Sequence, residues 1–481
     1  MNYELQQEAE DLTQKVQRVF GQLVIDKQRL PMSQLQSRGI PAYVGEWLLD
    51  SLAPGIGQLS PEEARKVQMW AAKHIPASGD QKLIKHRLSQ GEVVKVLTPV
   101  EVNIHLEQGR NERLATLKLL NLNKVYIADE LLVQHPDLLR LGMWGVTELV
   151  NTTSGVSILN FRPMQASVNL ELYKRARTEF TLDEWRDLML LSMGYNPQVL
   201  TDEEQTILLT RLLPLVQKSL HLMELAPKGT GKSYLYENIS PRVRLISGGT
   251  VSPAVLFVNN ATGQWGLLAQ SATVVLDEVQ TLKFQKPEEI IGGLKGFLAN
   301  SKLTRGGLHE TASDCALVLL ANVALDENQR PIRDPLIEEL PRFLQETAFL
   351  DRIKGIIPGW KIRKLGSSSF AKSVGLKADF FGDALLALRD DLQADQYSAR
   401  HISLLGERPY RRNEEAVRSI ASGMMKILFP HGEISTADFR RYCVEPAVEL
   451  RQLVWEQLYT LDAEYRQYEE RLDFELLPEL V

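Results

Sequence analysis

The residues on which a chemistry can be built are Gly231, Lys232 and Ser233. They close the stretch LMELAPKGTGKS at 222–233, in which a short apolar run predicts a strand and the following YLYENI predicts a helix. Pro227, Lys228, Gly229, Thr230 and Gly231 form the loop between the two. Gly229 and Gly231 let the backbone turn tightly, so that N–H groups face phosphate oxygens. The start of the helix adds the positive end of its dipole. Lys232 would set an ammonium against the β- and γ-phosphates of ATP, and Ser233 would offer its hydroxyl to Mg²⁺. The strict P-loop pattern has glycine where Ala226 stands. Alanine tolerates positive φ poorly, so the loop is expected to depart from the standard form at its entry.

A P-loop needs a carboxylate for its metal, and the expectation is that a neighbouring strand supplies it. Thr273 to Leu276 is a β-branched apolar run ending in Asp277 and Glu278. A buried parallel strand reads this way when its C-terminal end opens on an active site. Asp277 would coordinate the metal, and Glu278 would orient and deprotonate the attacking water, which favours hydrolysis over passive binding. A later apolar run, CALVLLAN, ends in Asn322, placed to meet the γ-phosphate or that water. Arg352, in FLDRIKGIIPGW, is a candidate arginine finger reaching a neighbour's ATP. Arg342 is the runner-up, and an ordinary salt bridge is the plain alternative. Arg412, opening a later helix, could lean back onto the nucleotide from a lid. Lys295, Lys302 and Arg305 give a cationic edge to a segment read as a helix, a short strand and a glycine turn.

These residues need a frame to hold them. The chain has 481 residues with 44% hydrophobic and 24% charged content, enough for two to four ordinary globular domains. Its net charge of −6 excludes a globally basic nucleic-acid binder and leaves only a local patch or channel lining. Two cysteines, Cys315 and Cys443, predict buried thiols in a reducing compartment and no disulfide framework. No apolar run approaches membrane-spanning length and no signal-peptide pattern opens the chain, so a cytoplasmic location is expected.

Residues 1–90 read as helical, with Pro61-Glu62-Glu63 as a helix start. Lys82, Lys85, His86 and Arg87 read as a solvated face. Residues 91–165 alternate and predict a small sheet or barrel, for which an OB-like form is one option. Arg110, Arg113, Lys118 and Lys124 either line a nucleic-acid face there or sit on the wet side of a half-buried sheet. Residues 166–365 form the α/β core, with capping boxes at Thr181/Glu184 and Thr201/Glu204 and a break at Pro214. Residues 366–481 read as a helical lid and C-terminal helices. The last is a long charged helix from Phe439 to about Leu472, with a kink or start at Pro446.

The succession of P-loop, acid pair, Asn322, Arg352 and helical lid resembles an AAA+ ATPase. Longer strings narrow this: ELAPKGTGKSYLYENISP, LISGG, VLDEV, FLDRIKGIIPGW and KILFPHG resemble the BrxL family, Lon-related AAA+ proteins of bacterial phage-exclusion (BREX) defence. Residues 39–44, GIPAYV, extend the likeness towards the N-terminus. The resemblance implies a hexameric or heptameric ring, ATP sites between subunits, and DNA, duplex in the first instance, held in a central channel as in MCM helicases. Other phage-defence proteins are the implied partners. It assigns Lys232 and Ser233 to Walker A, Asp277 and Glu278 to Walker B, Asn322 to sensor 1, Arg352 to the finger, Arg412 to sensor 2, and Lys302–Arg305 to a channel hairpin. Many such relatives continue into a Lon-like protease domain. This chain ends at Val481, about where that domain would begin, so ATP hydrolysis is expected of it and proteolysis is not. Three functions stay open at this point: a DNA-engaging ring motor, a protein-remodelling unfoldase or protease partner, and an ATP-regulated scaffold that clamps DNA without motor activity.

Overall fold

The computed structural model describes residues 11–77, 79–107, 110–139, 142–164, 168–305 and 309–478. Its centre is a five-stranded parallel sheet. Across the sheet the strands run Gly355–Pro358, Leu222–Ala226, Ala316–Asn322, Thr273–Asp277 and Val243–Ser247. Side chains alternate between its faces. Val275, Val318 and Leu320 enter one hydrophobic cluster, while Val274, Leu276, Leu317 and Leu319 enter another. Both faces are covered, which is why these strands read as unbroken apolar runs rather than alternating ones.

The strand order corrects one expectation. The strand ending in Asp277 is not the neighbour of the P-loop strand. The strand ending in Asn322 lies between them, paired with the P-loop strand through Asn322↔Ala226 and with the acid strand through Leu319↔Leu276. Three chemically different groups are therefore delivered from one edge of the sheet by three consecutive strands.

The N-terminal segment is helical. The helix Pro61–His74 is fixed by a capping box between Ser60 and Glu63 with proline at its first position. The short strand Val24–Asp26 pairs antiparallel with Val374–Leu376, which ties this segment to the chain beyond the sheet. A buried pair reinforces the tie: Lys27 meets Glu46 at 2.8 Å, and the second Glu46 oxygen accepts the Ala378 N–H at 2.7 Å.

The β-rich stretch is a closed barrel of five strands, in spatial order Val94–Glu107, Arg110–Leu117, Leu122–Tyr126, Gly155–Pro163 and Met143–Thr152. Val94–Glu107 closes it by pairing with both Arg110–Leu117 and Met143–Thr152. Its cationic side chains are mostly matched: Lys118 bonds Glu101 at 2.7 Å, Arg113 pairs with Asp129, and Lys124 is exposed. The Arg110 side chain lies outside the described residues.

Between barrel and P-loop strand, the capping boxes at Thr181/Glu184 and Thr201/Glu204 both form. The second helix ends at Thr210, and Pro214 opens a separate short turn, Leu213–Val216. The C-terminal helices Ala378–Ala387, Gln393–His401, Arg411–Leu428 and Glu445–Leu461 pack on one end of the core. The last helix is shorter than expected. A π-helical stretch, Phe439–Val444, precedes it and Pro446 sits in its first turn. It stops at Leu461, where Asp462 leaves helical geometry and accepts the Glu464 N–H. Its inner face is buried and mostly apolar, with Leu450, Val454, Trp455 and Leu458 in the core and Arg451 as its one buried charge among the described residues.

Candidate nucleotide site

The P-loop strand delivers Ala226 fully buried to the edge of the sheet. Ala226 is not among the residues with positive φ; the left-handed positions are Gly229 at +89° and Gly231 at +72°. The missing glycine is thus not needed for the turn. Its space requirement is met elsewhere, because Gly359 faces it. A Cβ built on Gly359 would lie 2.5 Å from the Ala226 Cβ and 2.7 Å from a Glu224 carboxylate oxygen. Two small residues face each other here, Ala226 at the end of its strand and Gly359 just past the end of the neighbouring one.

Lys232 begins the helix Lys232–Asn238 and is 7% exposed. Its Nζ donates to Asn322 Oδ1 at 2.7 Å, and Asn322 Nδ2 donates to Glu278 Oε1 at 3.3 Å. Three residues picked out by type and position in the sequence meet in one hydrogen-bonded row. Burial pulls the Lys232 ammonium below the usual lysine range, opposed by the carboxylates of Glu224, Asp277 and Glu278. A desolvated cation with one neutral partner is suited to a phosphate oxygen. Asp277 is 5% exposed, and one of its oxygens accepts the Glu278 N–H at 2.9 Å. Glu278 holds φ at +46°, a left-handed conformation for a non-glycine residue. The turn aims its side chain back across the sheet edge to Asn322.

Ser233 is half-buried in the first turn of that helix, and Thr230 is fully buried in the loop. Pro227 is half-buried and Lys228 exposed. The serine hydroxyl and the Asp277 carboxylate are hard oxygen donors that fit Mg²⁺. No group of three or more His, Cys, Asp or Glu that could cage a metal occurs among the described residues.

Arg352 and Arg412 are not brought to this row. Arg352 stands three residues before Gly355, which pairs with Leu222, so it lies at the far end of the sheet from Lys232. Its guanidinium donates to the Ala348 carbonyl, while its Nε is buried without a partner among the described residues. Arg412 pairs with the buried Asp351, which also accepts from Tyr410 Oη at 2.7 Å and from Arg451 at 3.3 Å. The cationic segment forms a hairpin, Lys302–Arg305 with His309–Ala312, in which Lys302 meets Glu310 at 2.7 Å. The Arg305 side chain and the glycine turn at 306–308 lie outside the described residues.

Sequence reasoning missed a buried group beneath the loop. Glu224, in the middle of the P-loop strand, and Arg211, at the end of the preceding helix, are both fully buried. Their contacts are bidentate, Arg211 Nη2 to Glu224 Oε1 at 2.6 Å and Nε to Oε2 at 3.1 Å. Burial acts to lower the Arg211 pKa, but the Glu224 charge and nearby tyrosines more than offset it. The signal was present in the sequence: an acid inside one apolar run, LMELA, and a base inside another, LLTRLLPLV. Each requires a buried partner.

With this geometry in place, comparison with known proteins is specific. The family model described as "Lon-like protease BrxL-like, ATPase domain" matches residues 156–471, and that described as "BREX system Lon protease-like protein BrxL N-terminal" matches residues 18–150. The chain belongs to the BrxL family. It is 28% identical to the Lon-like protease BrxL of Escherichia coli O9:H4 (strain HS) over 466 residues, covering 95% of this chain and 66% of that protein. It is also 28% identical to the Lon-like protease BrxL of Bacillus cereus (strain H3081.97), covering 89% of this chain and 64% of that protein. The chain thus spans just under two thirds of the length of these relatives. A full-length MCM homolog from Methanopyrus kandleri aligns in structure with a TM-score of 0.43 and 14% identity, over 89% of this chain and all of that one.

Proposed function

We propose that the chain is an AAA+ ATP hydrolase that assembles as a ring, engages DNA in the central channel and serves BREX-type antiphage defence. The observation that carries the hydrolase reading is the row Lys232–Asn322–Glu278, built from three different strand ends. Gly229 and Gly231 shape the cradle for the phosphates, with Lys232 against their terminal oxygens. Ser233 and Asp277 would hold Mg²⁺, which when bound supplies charge neutralisation between the phosphates. Glu278 takes the proton from a water as that water's oxygen attacks the γ-phosphorus and ADP leaves. Asn322, held by Lys232 on one side and Glu278 on the other, keeps acid and ammonium apart and orients both toward the same phosphoryl group.

Arg352 completes the site of an adjacent subunit in this reading. Its place away from its own P-loop supports action on a neighbour. Arg412 is bound to Asp351 and would have to exchange that partner to act as sensor 2. The described flanks of the hairpin present Lys302, Thr304 and Glu310 and no aromatic residue. That favours a phosphate backbone over an unfolded polypeptide, for which an aromatic grip is the usual device. The family-model description, which names the BREX system, supports the defence role. Steady-state phosphate release by the parent, Lys232→Ala and Glu278→Gln proteins, with and without duplex DNA at two salt concentrations, tests the whole reading. Turnover should vanish in both variants, and DNA binding should weaken steeply with salt. A Glu278→Gln protein that turns over like the parent would sink it.

A further inference from the structure

A peptide loop can aim its N–H groups at a phosphate only if its carbonyls are turned the other way and satisfied there. In this P-loop four carbonyls are anchored on the protein side. Pro227 accepts from Thr230 Oγ1 at 3.3 Å and Gly229 from the Leu365 N–H at 2.9 Å. Thr230 accepts from Arg211 Nη1 at 3.0 Å and Gly231 from Tyr195 Oη at 3.4 Å. The last two are served by one buried unit, since Arg211 Nη1 also donates to Tyr195 Oη at 3.0 Å. Glu224 occupies Nε and Nη2, so the planar guanidinium is locked with Nη1 pointing at the loop.

Stability does not explain this unit. A buried ion pair is commonly matched or exceeded by packed apolar residues of the same volume. The strand around Glu224 is otherwise Leu, Met, Leu and Ala, an environment in which another leucine would fit. What leucine could not do is hold two consecutive loop carbonyls.

We propose that Arg211 and Glu224, with Tyr195, are positioning residues that set the orientation of the P-loop for phosphate. They touch no phosphate themselves. This rests on the nucleotide-binding reading of the loop. It goes beyond that reading by naming what fixes the loop's geometry and by making a distinct prediction. Loss of the unit should weaken recognition of the β-phosphate while leaving contacts to the nucleoside intact.

The test is calorimetric titration of the full chain with ADP and with AMP, alongside thermal melting. The double variant Arg211→Met with Glu224→Leu removes both charges together and avoids leaving one unpaired. It should melt close to the parent and bind AMP as the parent does, while the preference for ADP over AMP falls at least tenfold. Tyr195→Phe, which loses only the hydroxyl, should lower that preference about threefold and decides the matter alone if the double variant does not fold. A preference within twofold of the parent's, or equal losses for ADP and AMP, overturns the inference. Lys232→Ala separates the two levels. If it keeps the parent's ADP affinity, the reading of the loop fails and the inference with it. If it loses ADP while the double variant keeps it, only the inference fails.

Discussion

Glu278, the proposed general base, has an uncomfortable backbone. A left-handed φ costs a non-glycine residue roughly 1 kcal/mol, and here it turns the carboxylate toward Asn322. Replacing Glu278 with glycine should therefore raise stability by up to about 1 kcal/mol and abolish turnover, whereas glutamine should abolish turnover with stability unchanged. Urea melts beside a phosphate-release assay check both; a glycine variant less stable than the parent would contradict the strain account. The Gly359–Ala226 contact gives a second residue-scale test. Gly359→Ala forces two Cβ atoms to 2.5 Å in a buried strand pair and should cost about 1–3 kcal/mol. Adding Ala226→Gly should recover only part of it, because the 2.7 Å contact with the Glu224 carboxylate remains, as denaturation of the single and double variants would show. Residue types at this scale were legible: Lys232, Asn322 and Glu278 announced themselves because phosphate chemistry uses few side chains. Gly359 was not legible, since its need depends on a partner strand that sequence order does not reveal.

At the scale of elements, local chemistry carried and spatial order did not. Thr181 and Thr201 each cap a helix as their spacing predicts, because a capping box is complete within four residues. The Asn322 strand follows the acid strand in sequence yet inserts beside the P-loop strand, and nothing within either segment encodes that. The final helix was overdrawn because charged residues at helical spacing continue past Leu461, where Asp462 ends it. The helix Ala378–Ala387 offers a pH test. Asp379 stands in its first turn, where the dipole would ordinarily favour the ionised form. Burial raises its pKa to about 6 instead, with nearby Glu46 adding to the rise and the Phe380 N–H and Lys377 opposing it. A folded pKa above the unfolded value gives stability that is complete below about pH 4 and is lost as pH rises through 6. Asp379→Asn should therefore melt above the parent at about pH 8, by up to roughly 3 kcal/mol. The difference should close below about pH 4. Melting curves across that range that run parallel would refute it.

For the whole molecule, two ion pairs link the barrel region to the edge of the core sheet, Arg244–Glu101 at 3.6 Å and Arg242–Asp137 at 4.0 Å. These are long, partly exposed pairs worth little individually. No described helix is long and apolar enough to cross a membrane. If Arg352 serves an adjacent subunit, two inactive proteins should rescue each other. Lys232→Ala keeps its Arg352 and Arg352→Ala keeps its P-loop, so a mixed assembly contains some complete sites. Turnover that appears on mixing the two supports action in trans, while a mixture as silent as its components refutes it.

The hairpin bearing Lys302 is spliced almost directly onto the strand Ala316–Asn322, with only Ser313, Asp314 and Cys315 between. That strand is a taut rod of about 20 Å clamped on both sides by its neighbours. Its near end is the hairpin and its far end is the side chain that grips Lys232. In the proposed reading, a load on the hairpin would pass lengthwise to the seat of the triphosphate, and a shift at that seat would travel back along the same rod.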